Sequence, residues 1–429
     1  MSPVKLNRRR TSAVVVGWPR AVARTYREAY GGLPRAAWLL ALLERVNRSG
    51  MMVLFFLTLY MTRELGFSVV QAGCVMSAYG IGSMLGTYFG GRLSDRLGAY
   101  NVQKLSRAAS AVLLIALQLP RSPWLVALLA LALAAVQDAL HPANASATAQ
   151  LCAPELRAKG FALHRLAGNL GISIGPVVGG YLAQWNYRAL FWVDGLTSLA
   201  AAGLMLLFLP SAGPHVSEAS RPAAPARAAW RNPGFVRLLP LVFGVGLIFA
   251  QFFTTFPLYL RSAYGLPESG VGRLVAVNTV LIVAVEMLLM HALRRRRPQA
   301  VVAVGTVLLG LGFGLMPFGS SMGYAAFTVV VWTFGEMLTL PTLMSLVTLR
   351  SDPGAIGAYQ GLTSLAFASA STLGPILAAW LYVAAGGAAV WYACGALGVL
   401  LAAGFSSLRE PGCAQSAPAG GIAEEESAA

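Results

Sequence analysis

The sequence predicts an all-α membrane protein with twelve spanning helices in two six-helix, pseudo-symmetric halves. Three observations lead to this fold class: the composition, the length of the apolar runs, and an internal repeat. Hydrophobic residues make up 57% of the 429 residues, charged residues make up 11%, and the mean hydropathy is +0.65. A soluble globular chain carries about 25% charged residues, so this chain cannot cover a water-facing surface. Lipid must therefore be the solvent for most of it.

Twelve apolar stretches have lengths that suit a bilayer, since a spanning helix needs about 20 mostly apolar residues to cross roughly 30 Å of hydrocarbon. We number the predicted helices α1 to α12 in chain order, at residues 37–61, 69–90, 105–119, 124–146, 160–182, 189–209, 235–260, 269–290, 299–318, 322–347, 357–383 and 387–408. The strands of a membrane β-barrel would alternate polar and apolar residues over about ten positions, and these runs do not alternate. Helices satisfy all backbone groups within the span, so the prediction is helical throughout.

The basic residues predict the orientation, because loops on the cytoplasmic side of a membrane are enriched in Lys and Arg. A cytoplasmic amino terminus places most of the basic residues inside, including residues 8–10, Arg92, Arg96 and residues 294–297. Both termini are then cytoplasmic, and the chain is predicted to be a multi-pass protein of the cell (inner or plasma) membrane. The net charge of +16 is spread over short loops, so it does not indicate a nucleic-acid partner.

The segments outside the helices divide the chain into five parts. Residues 1–36 form a basic cytoplasmic segment without the apolar core of a cleavable signal peptide. Residues 210–234 are rich in proline and polar residues, which predicts a flexible cytoplasmic linker. Residues 409–429 form an acidic tail that is predicted to be disordered. The two six-helix bundles are therefore residues 37–209 and 235–408.

A constant offset relates the two halves. The residues separated by 199 positions are Pro142 and Pro341, Gly175-Pro176 and Gly374-Pro375, and Leu59-Tyr60 and Leu258-Tyr259. One register thus fits three helix pairs without a gap. Six helices per half give both halves the same orientation in the membrane. Transporters built in this way bind their substrate near the midplane, between the halves, and expose the site to each side in turn.

The connection after α2 contains a motif, Gly90-Gly91-Arg92-Leu93-Ser94-Asp95-Arg96-Leu97-Gly98. It resembles the G-x-L-x-D-R-x-G signature that links helices 2 and 3 in the major facilitator superfamily. The resemblance implies that Gly91, Arg96 and Gly98 shape the loop, and that Asp95 docks on the start of α11 to lock the outward-facing state. The basic pair that usually follows the last glycine is absent. The alternative is that these charges only anchor the loop among the lipid headgroups.

A second motif lies in α5 and reads Gly171-Ile172-Ser173-Ile174-Gly175-Pro176-Val177-Val178-Gly179-Gly180. Small residues four apart let a neighbouring helix approach closely, and a proline kinks a helix. Each fixed position matches the antiporter motif G-x-x-x-G-P-x-x-G-G, so the chain resembles the 12-helix drug:proton antiporter branch of the superfamily. The resemblance implies a closely packed α5 that hinders leakage, with Arg165 and Asn169 on the same helix as candidates for the substrate cavity. The alternative is a generic helix-packing face.

Three acids at predicted membrane depth are candidates for proton coupling: Asp138 in α4, Glu286 in α8 and Glu336 in α10. A charge at the centre of a spanning helix costs roughly 2.5–3.5 kcal/mol, so such residues usually line a wet cavity. Glu336 is the first candidate because it lies five residues before Pro341, as in related efflux proteins. Asp138 is the second, since it shares a helix face with His141, three residues later. The alternative for each acid is a buried polar group satisfied by a neighbouring helix.

Polar and aromatic residues of α1 and α7 are candidates for the substrate cavity. Glu44 and Arg48 have the spacing of a same-face ion pair. Arg45 and Arg48 either attract an anionic substrate group or extend to the cytoplasmic surface. An aromatic lining would suit apolar, aromatic or cationic compounds, although aromatic residues at helical spacing also suit a core or a lipid-facing surface. The aromatic candidates are Phe55, Tyr60, Phe252, Phe256 and Tyr259.

The leading functional hypothesis is a monomeric secondary transporter that exports small, largely apolar compounds in exchange for protons. The alternative keeps the fold and carries a metabolite, sugar or lipid, by symport or otherwise. An enzyme is not expected, because the sequence lacks H-E-x-x-H, G-x-S-x-G and a phosphate-binding loop. The four cysteines have neither metal-ligand spacing nor a disulfide framework. No cofactor and no metal site are therefore predicted.

Overall fold

The computed structural model describes residues 31–208, 227–293, 295–352 and 356–408. In this part of the chain the long helical units follow the predicted order. Their bounds are Arg35–Gly50 and Val53–Arg63 (α1), Val69–Leu97 (α2), Ala99–Leu117 (α3), Pro123–Asp138 and Leu140–Leu151 (α4), Arg157–Trp185 (α5), Tyr187–Phe208 (α6), Leu238–Ala250 and Thr255–Ser262 (α7), Glu268–Leu293 (α8), Pro298–Gly314 (α9), Met322–Leu349 (α10), Ile356–Ala385 (α11) and Gly387–Ser407 (α12). The predicted acidic tail, most of the predicted linker and nearly all of the basic leader lie outside the described residues.

The membrane character of the chain is confirmed. Within the described residues, ten of the helical units are long and apolar enough to cross a membrane, and these are all units except α1 and α3. α1 carries Glu44, Arg45 and Arg48 and is divided into two short segments, whereas α3 carries Lys104 and Arg107. Twelve crossings and cytoplasmic termini therefore stay predictions.

The α2–α3 connection differs from the expected loop. α2 begins at a capping box, in which the Ser68 hydroxyl accepts from the Gln71 N–H at 3.2 Å and the Gln71 side chain accepts from the Ser68 N–H at 2.9 Å. The helix then continues to Leu97, so most of the predicted loop motif is helical. Only Gly98 makes the turn, with φ of +85°, a value that glycine adopts without strain. The prediction ended α2 too early because it ended the helix where the apolar run ends. Charged residues at the bilayer edge can lie outside the lipid and still be helical.

The predicted repeat has a counterpart in the helix bounds. α2 begins at Val69 and α8 at Glu268, 199 residues later, and the same offset separates the starts of α5 at Arg157 and α11 at Ile356. α1 is interrupted at residues 51–52 and α7 at residues 251–254. Within residues 31–208 and 227–408, these corresponding helices thus begin at equivalent positions, and α1 and α7 break at equivalent positions, whereas the break in α4 at Ala139 has no counterpart in α10. We call these segments the N-terminal half and the C-terminal half.

The two halves pack tightly at one end of the bundle. We call the end that bears the α2–α3 connection the inner end, and the opposite end the outer end. Towards the outer end, the ring of Phe55 in α1 lies 5.6 Å from that of Phe252 and 5.1 Å from that of Phe253 in α7. The Tyr187 hydroxyl at the start of α6 donates to Glu268 Oε1 at the start of α8, at 2.8 Å. The outer side of the interface is therefore closed.

Candidate functional site

A cavity of about 420 Å³ lies between the halves, on the inner side of the phenylalanine contact. α5, α7, α8, α10 and α11 all contribute to its wall. Its lining includes Arg165, Asn169, Phe249, Glu286, Glu336 and Phe367. We call this space the central cavity. It combines apolar walls with a few ionisable groups, which is the composition of a small-molecule site.

Glu336 lines the central cavity from the middle of α10. Asn278 of α8, which is buried, donates its amide to Glu336 Oε2 at 2.8 Å and to Thr333 Oγ1 at 3.0 Å. Among the described residues no cation forms an ion pair with Glu336. Pro341, on the same wall, has no backbone N–H, so it leaves a carbonyl of the preceding turn without its helical partner. The site therefore offers one carboxyl group with neutral hydrogen-bond partners only.

Glu286 differs from Glu336 because it has a cationic partner. Its carboxylate forms an ion pair with Arg165, which joins α8 of the C-terminal half to α5 of the N-terminal half. The Glu286 side chain is 12% exposed and that of Arg165 is 59% exposed. A paired carboxylate has less to gain from a proton than an unpaired one. Of the two acids, Glu336 is thus the one whose carboxyl group has no cationic partner among the described residues.

A second space of about 340 Å³ adjoins the central cavity and lies among α1, α4 and α5 of the N-terminal half. Arg165 and Asn169 line both spaces. We call the second space the N-half recess. Its polar lining comes mainly from Glu44, Arg48, His141, Asn144 and His164.

Glu44 is the centre of a buried charge cluster in the N-terminal half. It accepts from Arg48 Nε at 2.7 Å and from Asn144 Nδ2 at 3.2 Å, and it is only 3% exposed. Arg107 of α3 and His164 of α5 lie 3.6 and 3.7 Å from the same carboxylate. The predicted Glu44–Arg48 pair is confirmed. Arg107, which is fully buried, was missed, although a lone arginine in an apolar run is a visible signal.

Asp194 of α6 was also missed by sequence reasoning. It is 3% exposed, and its Oδ2 accepts from the Val53 N–H at 3.3 Å, at the point where the second segment of α1 begins. The first N–H groups of a helix lack helical partners, so the Asp194 carboxylate serves as the acceptor for one of these N–H groups. An acid inside the apolar α6 indicates a buried polar partner, but nothing in the sequence predicted the break in α1 that provides this partner.

The predicted Asp138–His141 pair is present, with 3.4 Å between Asp138 Oδ1 and His141 Nε2. The pair flanks Ala139, where α4 is interrupted. Asp138 also lines a small space with Tyr79 and Asp194. Its role in proton coupling stays a prediction.

The glycines of the α5 motif are contact points for two neighbouring helices. Gly171, Gly175 and Gly179 approach α1, and Gly180 approaches the start of α8. A Cβ atom at Gly179 would lie 2.6 Å from the Cβ of Met52, closer than two such atoms can come. The close packing expected of α5 is therefore present, and it places α5 between the two halves.

The motif at the end of α2 is exposed in this conformation. Gly91 is partly buried, whereas Asp95 and Arg96 lie exposed on the last helical turn before Gly98. Within the described residues Asp95 has no hydrogen bond and no ion pair, so the docking on α11 that the resemblance implies is not formed. Close approaches between α2 and α11 occur farther out, at Gly73. This agrees with an interface that is closed only on its outer side.

The aromatic candidates do not line the central cavity. Phe55, Tyr60, Phe252, Phe256 and Tyr259 are all buried in the hydrophobic core. They form part of the closed outer side, which agrees with the alternative that these aromatic residues belong to a core. The cavity lies on the inner side, so the outer segments of α1 and α7 stay in contact. Phe249 and Phe367, whose ring centroids are 6.0 Å apart, supply the aromatic wall instead.

Arg45 also differs from its candidate role. Its side chain is exposed on α1 and lines neither the central cavity nor the N-half recess. This placement fits the alternative that Arg45 extends to the surface. Arg48, one turn later, faces the recess instead.

Comparison with known families decides the identity of the fold. The family model described as Major Facilitator Superfamily matches residues 37–375. The chain belongs to the major facilitator superfamily. It is therefore a multi-pass membrane transporter and not an enzyme.

Similar members of the superfamily include proteins of several kinds. The chain is 22% identical to an uncharacterized MFS-type transporter, YqjV, of Bacillus subtilis, over 76% of this chain and 80% of that protein. It is 21% identical to the multidrug resistance protein MdtH of Photorhabdus laumondii, over 78% of this chain and 83% of that protein. It is 22% identical to a Na⁺, Li⁺, K⁺/H⁺ antiporter of Planococcus maritimus, over 78% of this chain and 87% of that protein.

Solved structures of two transporters share the fold. The nucleoside transporter NupG matches with a TM-score of 0.74 at 17% identity, over 87% of this chain and 98% of that chain. A peptide transporter, POT, in complex with sulfate matches with a TM-score of 0.74 at 17% identity, over 88% and 94% of the two chains. At this identity the likeness concerns the facilitator fold alone.

Proposed function

We propose that this facilitator protein is a proton-coupled exporter of small, largely apolar compounds in the cell membrane. The observation that carries the proposal is Glu336. Its carboxyl group lines the cavity between the halves, with an amide as its hydrogen-bond partner and no cationic partner among the described residues.

The coupling follows from the free energy of burying that carboxylate. A charged carboxylate that loses its water without gaining a cation is destabilised, so the central cavity closes readily only when a proton or a substrate occupies Glu336. A protein that binds either ligand, but not both, moves them in opposite directions. Under the predicted orientation the inner end is cytoplasmic, and the conformation described is ready to receive a substrate from the cytoplasm.

Two groups of relatives support the direction and the coupling. The relatives include multidrug resistance proteins of several bacteria, and multidrug resistance by a transporter requires export. They also include a cation/proton antiporter. The α5 glycines that pack against α1 and α8 are those of the antiporter motif.

A second candidate function is uptake of a metabolite, sugar or lipid. The observation in its favour is the similarity to solved peptide and nucleoside transporters. Such a protein would move the proton and the substrate in the same direction. The direction of the pH gradient that drives accumulation therefore separates the two proposals.

Transport into inverted membrane vesicles tests the proposal. We expect vesicles with an acidic lumen to accumulate dyes or antibiotics, because protons leaving the lumen exchange for substrate entering it. The Glu336→Gln protein should lose this accumulation and keep gradient-independent exchange. Glu64→Gln is the matched acid variant and should keep the accumulation, since Glu64 lies exposed just after α1. Accumulation only when the lumen is alkaline would overturn export in favour of symport, and no response to a pH gradient would overturn proton coupling.

A further inference from the structure

The charges that face the joined cavities are separated by sign. In the central cavity the unpaired charge is the carboxylate of Glu336, because Glu286 is already paired with Arg165. In the N-half recess the acid Glu44 faces two arginines: Arg48 lines the recess with it, and Arg107 lies behind it.

Glu44 does not neutralise this cationic side completely. Its two carboxylate oxygens are occupied by Arg48 and Asn144, and it has two guanidinium groups within 4 Å. One carboxylate beside two arginines leaves one positive charge over. The two other acids nearby, Asp138 and Asp194, line a separate small space and not the recess. By the residues that line them, the N-half recess thus has a surplus positive charge and the central cavity has a surplus negative charge.

The recess also has hydrogen-bonding capacity that the protein does not use. The Nδ1 atom of His164 and the Oδ1 atom of Asn144 are buried without a partner among the described residues. Asn144 is 5% exposed. Arg48 uses Nε for Glu44, and its Nη1 faces the sulfur of Met51 at 3.2 Å, a weak acceptor. An anionic ligand group would supply the oxygen acceptor that Nη1 of Arg48 lacks.

Arg165 shows that a guanidinium and a carboxylate can pair across the two halves. It lines both spaces and reaches Glu286 on the opposite half. Between the two charged ends lies an apolar wall that includes Phe249, Phe367 and Ile282. A ligand that spans the two spaces therefore meets a cationic end, an aromatic middle and an anionic end.

We infer that the preferred substrates are amphipathic zwitterions, with an anionic group held by Arg48 and Arg165, an aromatic body against Phe249 and Phe367, and an ammonium group at Glu336. This inference rests on the proposed function and names its substrate class. A zwitterion neutralises both surplus charges at once, whereas a singly charged compound leaves the other charge buried and unpaired, which is strongly unfavourable. The ammonium group also occupies the place of the proton on Glu336, which is what exchange requires.

Equilibrium binding to the full-length protein in lipid nanodiscs tests the inference with one scaffold and four charge states. The probes are 4′-(aminomethyl)biphenyl-4-carboxylic acid, its methyl ester, its N-acetyl derivative, and the compound that carries both caps. We expect the zwitterion to bind roughly 10–100-fold more tightly than either singly capped compound, the range given by one hydrogen-bonded charge. The doubly capped compound should bind weakest.

Variants test which residues contact the ammonium group and which contact the anionic group of the ligand. Glu336→Gln should abolish the preference for the zwitterion over the N-acetyl derivative, because only the ammonium contact is lost. Arg165→Gln should reduce the preference over the methyl ester, because Arg48 alone then holds the anionic group, and Arg48→Lys, which keeps the charge, should retain it. Arg63→Gln is the matched arginine control, since Arg63 lies exposed at the outer end of α1. If Arg165→Gln does not fold, the four-compound comparison on the unchanged protein still decides.

Equal binding of the zwitterion and either singly capped compound would overturn the inference. If pH-driven dye transport persisted in the same preparation, the proposed function would stand while the substrate class failed. A clear preference for the zwitterion without any pH-driven transport would instead leave the bipolar cavity standing and overturn proton-coupled export.

Discussion

Asp194 shows how much a single buried side chain can do in this fold. Its carboxylate reaches from α6 to the N–H of Val53, 141 positions away in sequence, and supports the start of the second segment of α1. The same segment carries Phe55, which packs on α7. One hydrogen bond thus links the break in α1 to the contact that closes the outer side.

Replacing Asp194 with alanine should destabilise the protein. The Val53 N–H would then be buried without an acceptor, which costs about 1–3 kcal/mol. Asp194→Asn keeps an oxygen acceptor and should cost less. Thermal unfolding of the purified protein in detergent measures both, with Ser217→Ala, in a segment predicted to be linker, as the reference substitution. Equal unfolding temperatures for the alanine variant and the unchanged protein would contradict the capping role.

At the scale of residues, the sequence predicted some of the site and missed the rest for one reason. Glu336, Arg165 and Asn169 were predicted, and all three line the central cavity. Arg107 and Asp194 were missed, because a lone polar residue in an apolar run does not reveal which neighbour it faces. Their partners come from other helices, and only the tertiary structure brings these together.

At the scale of helices, α5 carries the most specific packing. Its glycines let the backbone of α1 approach on one side and that of α8 on the other. This makes α5 the helix that touches both the buried charge cluster and the opposite half. A side chain at any of these positions has no space to occupy.

Gly179→Leu should destabilise the protein by about 1–3 kcal/mol, the usual cost of overpacking. The clash falls on Met52 and Phe56 of α1. Gly203→Leu on α6 is the matched control, because a Cβ atom there would meet nothing within 4 Å. Unfolding by denaturant measures the difference. A Gly179 variant as stable as the Gly203 variant would refute the close packing of α5 on α1.

The order of the helices was predictable from apolar length, whereas their interruptions were not. α1 and α7 were each predicted as one continuous helix, yet each is broken near its middle. A break costs backbone hydrogen bonds and survives only where other groups replace them. Asp194 does so for α1, and Gln251, whose side chain donates to the Leu247 carbonyl at 2.9 Å, contributes to α7. Such partners cannot be read from a hydropathy pattern.

At the scale of the whole molecule, transport requires the closed outer side to open. The contact of Gly272 in α8 with the backbone of Pro176 in α5 is part of that closure. Glycine permits it because no side chain stands between the two helices. Any side chain at residue 272 must push α8 away from α5.

Gly272→Leu should therefore shift the population towards states that are open at the outer end. A cysteine placed at Met344, an exposed residue that lines the central cavity, should then react more slowly with a membrane-impermeant thiol reagent added from the inner side. Gly323→Leu is the control, because that glycine has open space around it. Unchanged or faster labelling in the Gly272 variant would contradict the assignment of this contact to the outer closure.

Proton release on substrate binding tests the central claim most directly. In weakly buffered solution, the purified protein with its cavity carboxyl protonated should release about one proton for each zwitterionic probe bound, because the ammonium group and the proton compete for Glu336. The Glu336→Gln protein should bind the probe without releasing protons, and Glu64→Gln, at an exposed acid that follows α1, should release as many as the unchanged protein. Binding without proton release by the unchanged protein, or equal release by the Glu336 variant, would contradict exchange at Glu336.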